Sequence, residues 1–432
     1  MLITKRRAAR AAAVIVATLA VTAGVAGAKD GNDNSIRNRL GFTPLDETPQ
    51  NCSATQIRWS LDVKVTKVMQ RGDSATKLGG GAATVPGEND MIAHDPTGRF
   101  LYTVSETTTD GAVTRLDTQT GEKVIIAQRP DWNRLDPVKW YEPSGQLLVG
   151  EEDGTNGSMW QVDPTTGAVT ELLWLGKMSH EGIAVASDGA IWQGDENHTG
   201  AIYRSVPNNP VDLTAGGTLS FMVDGVGFVP LTNPATAVAD SFNGGATLFD
   251  RPEDFDQRDG KIYIDVTEPP DDAAASSTPG HPVHEGGVYT VNDTGVPNAV
   301  KFVAVNDPAI TDQTQAKLVR GLQFPDNLAF DRTGNLIIHE DIPDGATNIH
   351  GKQFRDQQDE LWVALPDENG DGMSDGLFKL ADMGNSPTAT PCQNEWTGGQ
   401  LFSNRTLFVN QQHADNPTWR VEFPKGNELN GK

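Results

Sequence analysis

The chain has 432 residues, including 45 glycines, 26 prolines and two cysteines, and only 7% of it is aromatic. Its 58 acidic and 34 basic side chains give a formal charge of −24, which excludes a protein built to grip the phosphate backbone of nucleic acid. Beyond the N-terminal region no stretch approaches 18 apolar residues, which excludes a spanning helix; the acidity suits a soluble exported protein or a cation binder.

Residues 1–28 read as a secretory signal peptide. Lys5, Arg6, Arg7 and Arg10 are followed by an apolar stretch from Ala11 to Gly24 and by the small residues Ala26-Gly27-Ala28 at a cleavage site. An uncleaved anchor is the alternative, and Arg6-Arg7 is a weak twin-arginine signal. Removing this segment, with four basic and no acidic residues, takes the charge to −28. Cys52 and Cys392 lie near opposite ends of the remaining chain, and in an oxidising compartment a disulfide between them is expected, with two buried thiols as the alternative.

Residues 29–432 read as one all-β domain. A pattern recurs five times: an acid, a short apolar strand, a turn with glycine, a second strand, and one or two further acids. The copies run Asp90, Gly98, Glu106; Asp136, Gly145, Glu151-Glu152; Glu181, Gly189, Asp195-Glu196; Glu253-Asp254, Gly260, Glu268; and Asp326, Gly334, Glu340-Asp341. The acid leads the glycine by 7 to 9 residues and the second acid follows it by 6 to 8. Further strands such as Met159–Val162 run into Asp-x-x-x-Gly turns at Asp117 and Asp163. Short strands repeated in this way predict the blades of a β-propeller. Thr406–Asn410 supplies one strand of a sixth blade, and Ile57–Val63 is expected to pair there. The expected fold is therefore a six-bladed β-propeller, its ring closed by N- and C-terminal strands.

The leading acid starts one strand and the trailing acids end its antiparallel neighbour, so both sit at the same end of a blade. Five copies bring about ten carboxylates to one opening. Such a ring repels itself unless it takes up protons or cations, and oxygen donors favour calcium, magnesium or manganese, with iron also open. Acids near turns are also ordinary loop residues; it is the repetition that points to metal. The candidate ligands are Glu151, Glu152, Glu181, Asp195, Glu196, Glu253, Asp326 and Glu340.

Arg251, two residues before Glu253, either balances these acids or holds a phosphate through both arms of its guanidinium. His180 and His413 read as hydrogen-bonded structural residues more readily than as ligands, and His198, His281, His284 and His350 as loop residues; His339 adjoins Glu340. A separate segment, Asp367-Glu368-Asn369-Gly370-Asp371-Gly372-Met373-Ser374-Asp375, matches a calcium loop through Asp367, Asn369, Asp371 and Asp375. Phe378 stands where an EF-hand has its last glutamate, so a helix pair is not implied.

At Glu151-Glu152, His180-Glu181-Gly182, Gly194-Asp195-Glu196, Asp250-Arg251-Pro252-Glu253-Asp254, Pro325–Asp331 and Thr406–His413 the chain resembles the PhoX-type alkaline phosphatases. The resemblance implies a six-bladed propeller with an iron and calcium centre that cleaves phosphate esters. That family's phosphatases carry a cysteine iron ligand just before the paired glutamates; Gly150 stands there in this chain.

The leading expectation is a secreted metal-dependent phosphoesterase acting on a small phosphorylated substrate, with the listed acids as ligands and Arg251 as phosphate clamp. A non-catalytic calcium propeller that binds a partner or glycan is the second reading, and a lactonase-like calcium propeller the third.

Overall fold

The computed structural model describes residues 34–46, 48, 50–267, 281, 283–305, 321–331, 333–342, 358–384, 394–403, 405–413 and 415–424. The predicted glycine turns organise it. Gly98, Gly145, Gly189, Gly260 and Gly334 all take positive φ, between 67° and 95°, a region that a residue with a Cβ adopts only at a cost. Each lets a strand fold straight back on its neighbour.

Six antiparallel-based sheets result among the described residues. Their first, or inner, strands are Asn89–His94, Leu135–Tyr141, His180–Val185, Pro252–Arg258, Pro325–Phe330 and Trp396–Ser403. The second strands are Phe100–Ser105, Gln146–Glu151, Ile191–Asp195, Lys261–Val266, Leu336–Glu340 and Thr406–Gln411. Consecutive inner strands touch one another, and the sixth touches the first. The architecture is all-β, a β-propeller arrangement.

The core follows the same order. Rather than one central mass, it comprises layers between neighbouring sheets. Val104, Val113 and Val138 pack between the first and second sheets, Tyr141, Leu148 and Ile183 between the second and third, and Trp192, Phe255 and Ile264 between the third and fourth. Val288, Leu328 and Trp362 fill the next layer, Leu380, Trp396 and Val409 the one after, and Phe408 packs on Ile92 and Leu101 of the first sheet. Burial of this kind stabilises by about 25 cal/mol per Å² of apolar surface.

The Asp117 and Asp163 turns form as the sequence predicts. Asp117 Oδ1 accepts from the N–H of Gln119 and Thr120, and Asp163 Oδ1 from those of Thr165 and Thr166. The N-terminal pairing differs from expectation. Arg58–Trp59 joins the outer edge of the fifth sheet, on Leu377–Asp382. The chain then turns, with Leu61 98% exposed, and it is Lys64–Met69 that pairs with Thr418–Glu422 in the sixth sheet. The apolar side chains of Ile57, Trp59, Val63 and Val65 all pack against the layer between the fifth and sixth sheets, so both stretches are anchored there and differ in the strand they pair with.

Residues 1–28, Glu268, His350 and Cys392 lie outside the described residues, so the Cys52–Cys392 pairing lies outside them too. No helix of the described residues is long and apolar enough to cross a membrane.

Candidate metal centre

Three positions repeat around the six sheets. The first is the residue before each inner strand, here the lead-in position: Glu88, Arg134, Ser179, Arg251, Phe324 and Glu395. The second is the second residue of the inner strand, the ring position: Asp90, Asp136, Glu181, Glu253, Asp326 and Thr397. The third is the residue after the second strand, the exit position: Glu106, Glu152, Glu196, Thr267, Asp341 and Gln412. In every sheet the exit N–H donates to the lead-in carbonyl at 2.7–3.0 Å.

In every sheet, too, the register between inner and second strands shifts beside the ring position. A bulge twists a strand and re-aims a side chain. Repeated six times, it turns the ring residues to a common centre. Four lead-in residues, Glu88, Arg134, Arg251 and Phe324, take positive φ of 39–57°, a strained conformation for side-chain-bearing residues that gathers at functional sites.

The five ring acids are buried, and they meet. Asp90, Glu106 and Asp136 present oxygens within 4.8 Å of one another; so do Asp136, Glu152 and Glu181, and so do Glu181, Glu253 and Asp326. The three triads share Asp136 and Glu181 and thus form one continuous cluster. Burial first, and neighbouring carboxylates next, hold Asp90, Asp136, Glu181 and Asp326 well above the usual carboxylate range. Burial also raises Glu253, against the pull of Arg251. Asp136 Oδ1 lacks a hydrogen-bond donor among the described residues, and Glu253 has Arg251 Nη2 at 3.1 Å from Oε1 and the Thr267 side chain beside it. A buried carboxylate oxygen without a donor is costly, and a cation supplies what is missing. The donor set, oxygen only, fits calcium, magnesium or manganese.

Two guanidiniums brace the cluster. Arg251 donates through Nε to Glu196 Oε1 at 2.8 Å, and its Nη2 lies 3.1 Å from Glu253 Oε1. Arg134, at the equivalent position two sheets earlier, donates through Nε to Glu106 Oε1 at 2.7 Å and through Nη2 to Glu152 Oε2. Burial is the largest influence and raises Glu196, but Arg251, a hydrogen bond with Glu152 and the charge of Arg134 together make the net shift downward. Glu196 is thereby a partner of Arg251 and joins no triad.

Three predicted ligands are spent elsewhere. Glu151 accepts from the N–H of Asn133 and Ser158 and from Trp160 Nε1 at 3.0–3.2 Å. Glu340 accepts from the N–H of Gln323 and Glu360 and from Trp362 Nε1 at 2.7–2.9 Å. Asp195 accepts from Ser179 N and Asn197 Nδ2. Each ends a second strand, one residue before the exit position, where strand alternation directs it to the other side. Burial pushes Asp195 up to about 7 and Glu340 up to about 8.

Residues outside the predicted set contribute as well. Arg134 shares with Arg251 the spacing of two residues before a ring acid, a signal present in the sequence. Gln412 Nε2 donates to Asp90 Oδ2 at 2.7 Å and Glu106 Oε2 at 2.8 Å. Asp265, an acid inside the apolar run Ile262–Val266, is fully buried, and burial first, then the charges of Asp254 and Glu253, hold it well above the usual carboxylate range.

The histidines are structural. Burial holds His180 and His339 neutral, at about 3 and about 4, and His339 Nδ1 bonds the Asn327 carbonyl at 2.9 Å. His413 pairs with Glu88 and His198 with Asp250. The Asp367–Asp375 segment forms a hairpin tip in which Asp367 accepts from three backbone N–H groups and Asn369 Nδ2 donates to Asp375 Oδ1.

Comparison with known proteins places this geometry. The sequence profile of the family described as alkaline phosphatase PhoX matches residues 102–415. The chain belongs to the PhoX alkaline phosphatase family. Among solved structures it is similar to Pseudomonas fluorescens PhoX in complex with vanadate, a transition-state analogue: the TM-score is 0.64 at 15% identity, covering 89% of this chain and 98% of that one. A gluconolactonase from Xanthomonas campestris gives a TM-score of 0.47 at 14% identity, covering 88% and 96%, and a streptogramin B lyase 0.44 at 10%, covering 84% and 98%. No curated protein sequence matches the chain. In this PhoX family member there is no room at Gly150 for a side chain, because a Cβ there would lie 2.6 Å from Pro137 Cγ and 2.7 Å from His180 Cβ. A thiolate is therefore not accommodated beside the carboxylates as the protein stands.

Proposed function

We propose that this chain is an exported, metal-dependent phosphoesterase whose cations sit at the end of a six-bladed propeller closed by strands from both termini. The cluster of three overlapping carboxylate triads, braced by two arginines in a PhoX family chain, carries the reading. Asp90, Glu106, Asp136, Glu152, Glu181, Glu253 and Asp326 would hold the ions. Bound there, divalent cations supply positive charge for phosphate oxygens and lower the pKa of a water. Arg251 offers a planar fork to a phosphate, and Glu196 and Glu253 fix its orientation. Calcium is the ion we favour, because Gly150 removes the sulfur donor; iron, if taken, would have oxygen donors alone.

Gly150 also favours a second reading, a non-catalytic calcium-binding propeller. The two separate in one experiment on the exported, untagged protein. Its metal content is measured, and phosphate release from an aryl phosphate ester is followed before and after chelation. The first reading expects release that chelator abolishes and calcium, alone or with iron, restores. Bound calcium with no release after reloading both metals refutes it in favour of the second. Cleavage after Ala28, a Cys52–Cys392 disulfide and a calcium ion on the Asp367–Asp375 tip belong to the same proposal, and intact mass with and without reductant checks the first two.

A further inference from the structure

Arg134 differs from Arg251 in its partners. Of the two acids on Arg251, only Glu253 belongs to a triad; both acids on Arg134 do. Glu106 completes the first triad and Glu152 the second, with Asp136 common to both. One guanidinium thus spans two adjoining cation positions. It is held from behind, since its backbone has φ of 50° and its carbonyl accepts the Glu152 N–H at 2.8 Å. Its side chain is nevertheless 41% exposed, against 20% for Arg251, so it has an open side at the mouth of the cluster.

Without metal, Arg134 is the positive charge on both triads. When divalent ions share Glu106 and Glu152, those carboxylates are neutralised from the other side and their hold on the guanidinium weakens. The guanidinium keeps its charge at any accessible pH, and its planar set of donors matches a phosphate.

Building on the phosphoesterase reading, we propose that Arg134 is a second anion-binding residue of the centre, recruited to phosphate and phosphate esters when cations fill the two triads beside it. The test measures binding of inorganic phosphate and of calcium by titration calorimetry on the wild type and on R134Q, R134K and R251Q, with chelator and with saturating calcium. Calcium should raise wild-type affinity for phosphate. R134Q should lower the phosphate affinity of the calcium-loaded protein at least about tenfold, the scale of a lost charge-assisted contact, with calcium stoichiometry unchanged. R134K, which keeps charge without the fork, should recover part of the loss. Wild-type phosphate affinity in calcium-loaded R134Q overturns the proposal, as does loss of calcium sites in R134Q and R134K alike, which would make Arg134 only a brace for its two glutamates. A wild type that binds no calcium sinks the metal-centre reading itself; one that binds calcium while only R251Q weakens phosphate leaves that reading standing and removes Arg134 from it.

Discussion

Replacing Asp136 by asparagine should change the sign of its effect on stability according to whether calcium is present. Asp136 belongs to two triads, so Asp90, Glu106, Glu152 and Glu181 all have an oxygen within 4.8 Å of its carboxylate. At that distance and an effective dielectric of about 20, each ionised pair repels by about 3 kcal/mol. Protons taken up by the cluster relieve part of this, leaving a gain of about one such pair, about 3 kcal/mol, when D136N removes the charge at nearly constant shape. With calcium the balance reverses. A site filled at 100 times its dissociation constant stabilises by about 2.7 kcal/mol, and D136N damages two. Urea unfolding at pH 8 in chelator and in excess calcium measures both arms. The reasoning is refuted if D136N destabilises the chelated protein, or if calcium stabilises D136N as much as wild type.

Burial raises the ring carboxylates above their unfolded values, so the folded protein binds more protons than the unfolded chain from about pH 4 upward. Metal-free stability should therefore fall between pH 5 and pH 8, at about 1.4 kcal/mol per pH unit for each extra proton, and calcium should flatten that slope; urea midpoints at the two pH values check it. E151Q and E340Q should each cost about 1–3 kcal/mol through lost or mismatched backbone bonds while leaving calcium stoichiometry intact, whereas E152Q should lower the stoichiometry; equal effects of all three would contradict the division of these acids. G150C should destabilise by about 1–3 kcal/mol through overpacking against Pro137 and should show no iron–thiolate absorption after iron loading.

Much of this centre is legible in the sequence because the blades repeat. A ring acid recurs at a fixed distance before a turn glycine, and that periodicity alone marks Asp90, Asp136, Glu181, Glu253 and Asp326. Paired acids are harder to read. Glu151-Glu152 and Asp195-Glu196 look equivalent in one dimension, yet neighbouring strand residues face opposite ways, so one of each pair bonds backbone amides and the other reaches the centre side. The lead-in position has no consistent chemistry, being Glu, Arg, Ser, Arg, Phe and Glu in turn, which hides Arg134 unless the register is known. The N-terminal strand of the sixth sheet lies a few residues later than the sequence suggests because two apolar-polar stretches adjoin and both pack against the same layer, so the apolar pattern does not separate them.

The sixth sheet shows why the acid repeat stops at five. Its ring and exit residues are Thr397 and Gln412, and Gln412 already gives its amide protons to Asp90 and Glu106. An acid at either place would add a repelling charge beside the first triad; an amide there supplies donors instead. Over the eighteen lead-in, ring and exit positions, eleven acids stand against two arginines, and the arginines fall in the second and fourth sheets, between acids of consecutive sheets. Three acids stand in the first sheet and two each in the second, third and fifth, with Arg134 offsetting one in the second; Arg251 cancels the single acid of the fourth, and Glu395 is the single acid of the sixth. The sixth sheet has no carboxylate at its ring or exit position, so pairing of Lys64–Met69 with Thr418–Glu422 there does not depend on neutralising a ring acid of that sheet. Its one acid among the three positions, the lead-in Glu395, lies beside Asp341, Asp90 and Asp326 and is held well above the usual carboxylate range, by burial first.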